Sequence, residues 1–365
     1  MRCARIRMIE PPQKMTWALA IATKDRMDVL KRCVECALDQ TWPPSEIVVA
    51  DASSDWEDHG QEIRAIVGEK MPGLPVAYEK GTAPSLTVQR NQAAGLASAD
   101  ILFMIDDDSL MHDTCAEEIM KVYEADTEAR IAGVQAFESP HLPGRVPQGG
   151  QKEKGTNTAG IRKKHPLLRW FFQKALMMEK TEVFLPYDGA YPEHLLPDGL
   201  KDFKLNPVKL FGGFRMTYRR NAVLASPFDP TLRYYCPGED LDGSYRISRL
   251  GMLVTAYRAK LHHFTSAEGR LNRHQVALLW SLNQAVLLRR HAPDQGWAKA
   301  RYWRHMAHRI AIDFVKDLGK RRFSLPQMRG SLAAWRRAGE VFAMTPEALE
   351  TWYPQAQEKI VKGGR

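Results

Sequence analysis

No stretch of this sequence stays apolar for long enough to span a bilayer. Its opening residues, MRCARIRMIEPPQK, contain no hydrophobic run of the kind a secretory signal needs. These two absences set the expectation of a soluble, cytoplasmic chain. Cysteine is scarce and odd in number, five in 365 residues, which speaks against a disulfide framework and for a reducing compartment. Cys33 and Cys36 form a C-x-x-C, but no second such pair exists to complete a zinc site. DVLKRCVECALDQ reads instead as a helix interior in which that spacing repeats one packed face. Glycine-rich phosphate loops are missing as well. No G-x-G-x-x-G follows the first strand-like run and no G-x-x-x-x-G-K-[ST] occurs, so dinucleotide and P-loop readings lose their main support. There is no internal repeat and no low-complexity tract.

What is present is enough apolar residue, 44%, to bury a substantial core in a chain of this length. Lys and Arg outnumber Asp and Glu by 52 to 43, a formal charge of +9 that favours phosphates, nucleic acid or an acidic membrane surface as partners. Much of the excess lies after Gly160. Residues 15–137 alternate β-like runs with helical patterns. Strands are expected over Thr16–Ala22, Glu46–Ala50, Pro75–Glu79, Ile101–Ile105 and Ile131–Phe137. Helices are expected over Met27–Leu38, Trp56–Val67, Leu86–Ala97 and Asp113–Tyr123. That order predicts an α/β, Rossmann-like, mostly parallel sheet flanked by helices.

Residues 138–206 form an irregular insert rich in Pro, Gly and Lys, within which IRKKHPLLRWFFQKALMMEK reads as a basic, aromatic helix. Such a helix suits a membrane interface, or it packs on the domain with solvated charges. Regular structure resumes over 207–268, and 269–365 reads as a helical C-terminal extension. There His305-x-x-His308 has metal-like spacing, yet the flanking arginines and missing carboxylates make it a solvated helical face.

In open α/β sheets ligands bind beyond the carboxyl ends of the strands. Thr23 to Arg26 follow the first strand, Asp51 to Asp55 the second, and Asp106, Asp107 and Asp108 the fourth. A helix N-cap needs only one carboxylate. Three adjacent acids repel one another, and a hard divalent cation such as Mg2+ or Mn2+ would offset that while retaining positions for phosphate oxygens.

These residues give a specific resemblance. ALAIATKDR, EIVVADASSD and QRNQAAGLASADILFMIDDDSL resemble the nucleotide-sugar-binding half of family-2 glycosyltransferases, which have the GT-A fold. Thr23 and Arg26, Asp51 and Ser53, Arg90 and Asn91 with Gly95, and the Asp-x-Asp of Asp106 and Asp108 fill the family's places in order. FGGFRMTYRRNAVLASPFDPTLRYYCPGEDLDGSYRISRLG resembles the acceptor-side segment, with Glu239-Asp240, Arg246 and Gly251, and KLHHF offers His262 or His263 as a late metal ligand.

The resemblance implies an inverting, metal-assisted transfer from a nucleotide-diphosphate sugar to a glycan or lipid-linked acceptor. Asp108 would hold Mn2+ or Mg2+, with Asp106 or Asp107 toward the ribose or the metal and one of the two histidines completing the shell. Thr23, Arg26, Asp51, Ser53 and Arg90 would line the nucleotide, Asp51 accepting from the base. Asp240 would act as general base with Glu239 beside it. Basic aromatic and C-terminal segments would allow peripheral contact with an anionic membrane at its inner face. The rival readings are a nucleotidyltransferase, which would not require the late Glu-Asp and His motifs, and a non-catalytic nucleotide-sugar binder, against which the intact Asp240 speaks. Acids at the strand ends argue against nucleic acid as a partner.

Overall fold

The computed structural model describes residues 14–144, 183–234, 236–264 and 271–363. The basic, aromatic segment Arg162 to Lys180 lies outside them. The strands are β1 (Trp17–Thr23), β2 (Glu46–Asp51), β3 (Val76–Lys80), β4 (Ile101–Met104), β5 (Ser109–Met111), β6 (Ile131–Glu138), β7 (Leu205–Pro207), β8 (Met216–Arg219) and β9 (Met252–His263). They form one sheet in the order β3-β2-β1-β4-β8-β6-β9-β5, with β7 also paired to β9. The pairs β1–β2, β2–β3, β1–β4 and β6–β9 are parallel, whereas β8 is antiparallel to both β4 and β6, and β5 and β7 are antiparallel to β9. Most strands therefore point one way, as the alternating pattern requires, and the reversed ones come from short segments without helical crossovers.

The sheet is covered on both faces, and the strands show it by period-two sorting. Trp17, Leu19, Ile21, Ile47 and Val49 enter one core cluster with helices α1 (Met27–Leu38), α2 (Trp56–Lys70) and α4 (Cys115–Ala125). Ala18, Ala20 and Val48 enter the other with α3 (Leu86–Leu96) and α5 (Arg220–Ala225). Cys33 and Cys36 are buried on α1, and they pack as expected. Segments 15–137 and 207–268 share this sheet, because β8 inserts between β4 and β6.

A third core joins α6 (Glu239–Ile247) to the C-terminal helices α7 (Arg273–His291), α8 (Gln295–Gly319), α9 (Pro326–Ala343) and α10 (Pro346–Val361). Phe184, Leu185 and Tyr187 from the end of the insert belong to it. Pro sits in the first turn of α9 and of α10, where its missing N–H costs nothing. His305 and His308 on α8 are half-buried. Burial, helped by Arg309, pulls His305 down to about 4, so the expected solvated face is instead a packed one. Among the described residues no helix is long and apolar enough to cross a membrane.

Candidate active site

The site is built where β1, β2 and β4 end. Beyond β1 the chain turns through Asp25, whose positive φ of 54° is tolerated by a short acidic side chain, and whose N–H donates to Ser53 Oγ at 2.7 Å. That turn delivers Arg26 to the acids. Its Nη1 reaches Asp107 Oδ1 at 2.5 Å and its Nη2 reaches Asp108 Oδ2 at 2.6 Å, while Thr23 Oγ1 donates to Asp107 Oδ2 at 2.7 Å. Arg26 Nε is buried with no hydrogen-bond partner.

The three acids thus have three different settings. Asp107 is buried, and desolvation raises it to about 7 against the opposing pull of Arg26 and Thr23. Burial also disfavours the Asp108 charge. His263 and Arg26 outweigh that and hold Asp108 below the usual carboxylate range. Asp106 is the most open, with its side chain one-third exposed.

One oxygen each of Asp106 and Asp108 and one imidazole nitrogen of His263 lie within 4.8 Å of one another. His263 Nε2 is 3.2 Å from Asp108 Oδ1, and its ring stacks on Phe214 at 4.4 Å between centroids with an interplanar angle of 7°. Register produces this arrangement: β5 pairs Ser109 with His263 and Leu110 with His262, so successive side chains face opposite ways. His262 turns to the Ser139 carbonyl at 3.0 Å, which removes it from the expected ligand set. Asp107, held by Thr23 and Arg26, is also outside that set.

Arg90 spans the centre. It is 2% exposed, and its guanidinium donates from Nη2 to Asp106 Oδ1 at 2.8 Å and from Nη1 to Glu239 Oε1 at 3.0 Å. Its neighbours on α3 are tethers too. Gln89 Nε2 donates to the carbonyls of Thr23 and Ala50, clamping the ends of β1 and β2. Asn91 exchanges two hydrogen bonds with the Phe228 backbone. Thr87 Oγ1 adds a 2.6 Å bond to the Leu232 carbonyl, so α3 also holds the chain leading to α6.

Glu239 and Asp240 open α6 after Gly238, which caps the helix at a φ of +95° that a side chain would disfavour. Asp240 Oδ2 accepts from the Gly213 N–H and Oδ1 from the Leu241 N–H, each at 2.9 Å. Gly213 lies close to both Asp240 and Arg90, and a Cβ there would come within 3.2 Å of Arg90 Nη2, pressing on the guanidinium. Burial pushes both acids upward. The Asp240 charge adds to the rise at Glu239 while Arg90 opposes it in both.

Asp51 departs from its expected part. It is 0% exposed and its oxygens are taken within the chain. Oδ1 accepts from Ser53 N–H and Oγ, and Oδ2 pairs with His59 Nδ1 at 2.9 Å and Tyr78 Oη at 2.6 Å. A contact from its carboxylate to a nucleobase is therefore not available in this conformation. Ser53 is likewise buried, bonded to Asp51 and Asp25. Arg246 pairs with Asp242 one turn back and with the Pro227 carbonyl, away from Asp240. Sequence reasoning missed Gln89, His59, Tyr78 and Phe214. The only legible signal among them was the position of Gln89 immediately before the Arg-Asn pair.

Residues 19–181 match the family model of glycosyl transferase family 2. Among solved structures, GalNAc-T7 with UDP, GalNAc and Mn2+ superposes with a TM-score of 0.53 at 13% identity, covering 95% of this chain. This chain spans 58% of the length of that one. The mannosyltransferase PcManGT from Pyrobaculum calidifontis, in complex with GDP-Man and Mn2+, gives a TM-score of 0.47 at 14% identity, covering 96% of this chain and 87% of its own. No curated protein matches the chain. Residues 19–181 are thus similar to glycosyl transferase family 2, and the chain carries a GT-A fold.

Proposed function

We propose that this glycosyltransferase moves a sugar from a nucleoside-diphosphate sugar to a hydroxyl of a glycan or lipid-linked acceptor, inverting the anomeric carbon with Asp240 as general base. The observation that carries this reading is the Arg90 bridge. One guanidinium joins Asp106, beside the strand-end acids, to Glu239, the neighbour of Asp240. Donor-side and acceptor-side chemistry thus share one cluster.

Asp106, Asp108 and His263 fit a divalent cation, because two carboxylates and an imidazole converge and Phe214 fixes the ring. The mixed oxygen and nitrogen donors suit Mn2+ better than Mg2+. Such an ion supplies Lewis acidity to a departing diphosphate. Arg26 lies close by, its two Nη atoms paired with Asp107 and Asp108. Asp240 keeps a lone pair on each oxygen beyond its two backbone bonds, enough to receive the acceptor's proton.

As the acceptor oxygen bonds to the anomeric carbon, the bond from that carbon to the diphosphate breaks and the diphosphate leaves with the electron pair. Asp240 takes the hydroxyl proton and returns it to solvent. Attack from the face opposite the leaving group inverts the centre. Asp51, Ser53, His59 and Tyr78 act by holding the β2 end rigid. The acceptor class, and a cytoplasmic, membrane-peripheral setting, rest on the chain's positive charge.

A thermal-shift screen against UDP-, GDP-, dTDP- and CMP-sugars, with and without Mn2+, tests the donor site. One nucleotide class should raise Tm only with metal. At about 100 times Kd, the gain is about 2.7 kcal/mol. Asp108→Ala should abolish it. No shift with any donor in folded protein would overturn the reading.

A further inference from the structure

We propose that the C-terminal half of α8, with the turn into α9, is a docking surface for an anionic lipid bilayer. Residues 299–339 hold eleven Lys and Arg against two acids, Asp313 and Asp317, an excess equal to the formal +9 of the whole chain. Both acids are fully buried. Asp313 Oδ2 accepts from Arg309 Nε and Ser331 Oγ, and Asp317 Oδ2 accepts from the N–H groups of Gln327 and Met328 at the start of α9. The helix turns its carboxylates inward, so that stretch exposes no acid.

The outward face is apolar. Ala311, Phe314, Val315 and Leu318, at the i, i+3, i+4, i+7 spacing of one helical stripe, are all exposed. Phe314, Val315 and Leu318 are each 41% exposed, and beyond the helix Phe323 is 77% exposed. Ordinary amphipathic packing would bury that stripe. Exposed Arg304 precedes it on the same face of the helix, exposed Lys320 and Arg321 follow it in the turn, and Arg329 is exposed at the start of α9. A protein partner with an apolar groove would satisfy the stripe alone. An anionic bilayer satisfies both, taking the apolar side chains to the acyl boundary and the ammonium and guanidinium groups to the headgroups. The helix is amphipathic and not a membrane-spanning one, so it lies on the surface. This inference deepens the membrane-peripheral part of the proposed function and rests on none of its transfer chemistry.

The test is co-sedimentation of the full chain with vesicles of phosphatidylcholine alone and of phosphatidylcholine with phosphatidylglycerol. Binding should require phosphatidylglycerol and weaken with salt. Phe314→Ser with Phe323→Ser should lower the partition coefficient by about tenfold or more, because two large apolar side chains are withdrawn. Lys320→Glu with Arg321→Glu should do likewise. Both variants touch exposed positions and should keep the parent Tm and the donor-induced shift. Absence of vesicle binding, equal binding to neutral vesicles, or undiminished binding by both variants would overturn the proposal. So would concentration-dependent self-association that the apolar variant removes in a protein that ignores vesicles. Failure of the donor screen leaves this result untouched, so the two readings fail separately.

Discussion

Asp240→Asn should lower kcat by roughly 10²- to 10⁴-fold, the usual contribution of a positioned general base. The donor-induced thermal shift should stay at the parent value. The substitution is conservative where it matters structurally. An amide oxygen can still accept from the Gly213 N–H, so the approach of that glycine to Arg90 is preserved. What is lost is the ability to hold a proton, together with the bond from the Leu241 N–H, which an amide NH2 cannot accept. The pH dependence carries the same signature. A base acts when deprotonated, so the rate falls as pH drops through its pKa. Burial raises the Asp240 pKa, so the acid limb of kcat/KM should lie above the ordinary Asp value of about 3.9. Initial rates across pH in parent and variant check both points. A variant that turns over at the parent rate would remove Asp240 from the chemistry.

Arg90→Met should cost about 3–5 kcal/mol of stability, the range for breaking a buried pair by deleting one partner. The guanidinium is almost wholly buried, and Glu239 beside it is buried as well, so its removal strands a carboxylate in a dry setting. Asp106 loses a partner in the same step, though its greater exposure softens that loss. Denaturant unfolding would measure the deficit. The double variant Arg90→Met with Glu239→Gln should recover part of it, since the stranded charge is then gone. An unchanged midpoint in Arg90→Met would mean that the bridge does not hold the two halves of the site together. Activity should fall further than stability explains, because Gly213, whose N–H holds Asp240, lies against the arginine.

The fold was legible where periodicity was strong. Met27–Leu38 forms a helix with the bounds expected, and β2 begins at Glu46 as expected and runs one residue further, to Asp51. The short β5 was not visible, because three residues, Ser109–Met111, carry no periodic signal and pair only through β9. That strand decides which histidine faces the acids, so the choice between His262 and His263 could not be made without the register. Asp51 shows the opposite failure. Its place after a strand pointed to a ligand contact, but His59 and Tyr78, 8 and 27 positions along the chain and outside any motif, close on it in space. Arg90 was singled out as a positive charge near the donor. Its second role, reaching Glu239 across 149 positions, depends on tertiary packing alone.

The most direct test of the metal-holding trio is a room-temperature EPR titration with Mn2+ alone, in which the free-ion signal falls as protein takes up the metal. Parent protein and His262→Ala should deplete the signal alike, while Asp108→Ala and His263→Ala should leave it near that of free Mn2+. Uptake lost in His262→Ala but kept in His263→Ala, or unaltered in every variant, would contradict the assignment of Asp106, Asp108 and His263 as the cation's ligands.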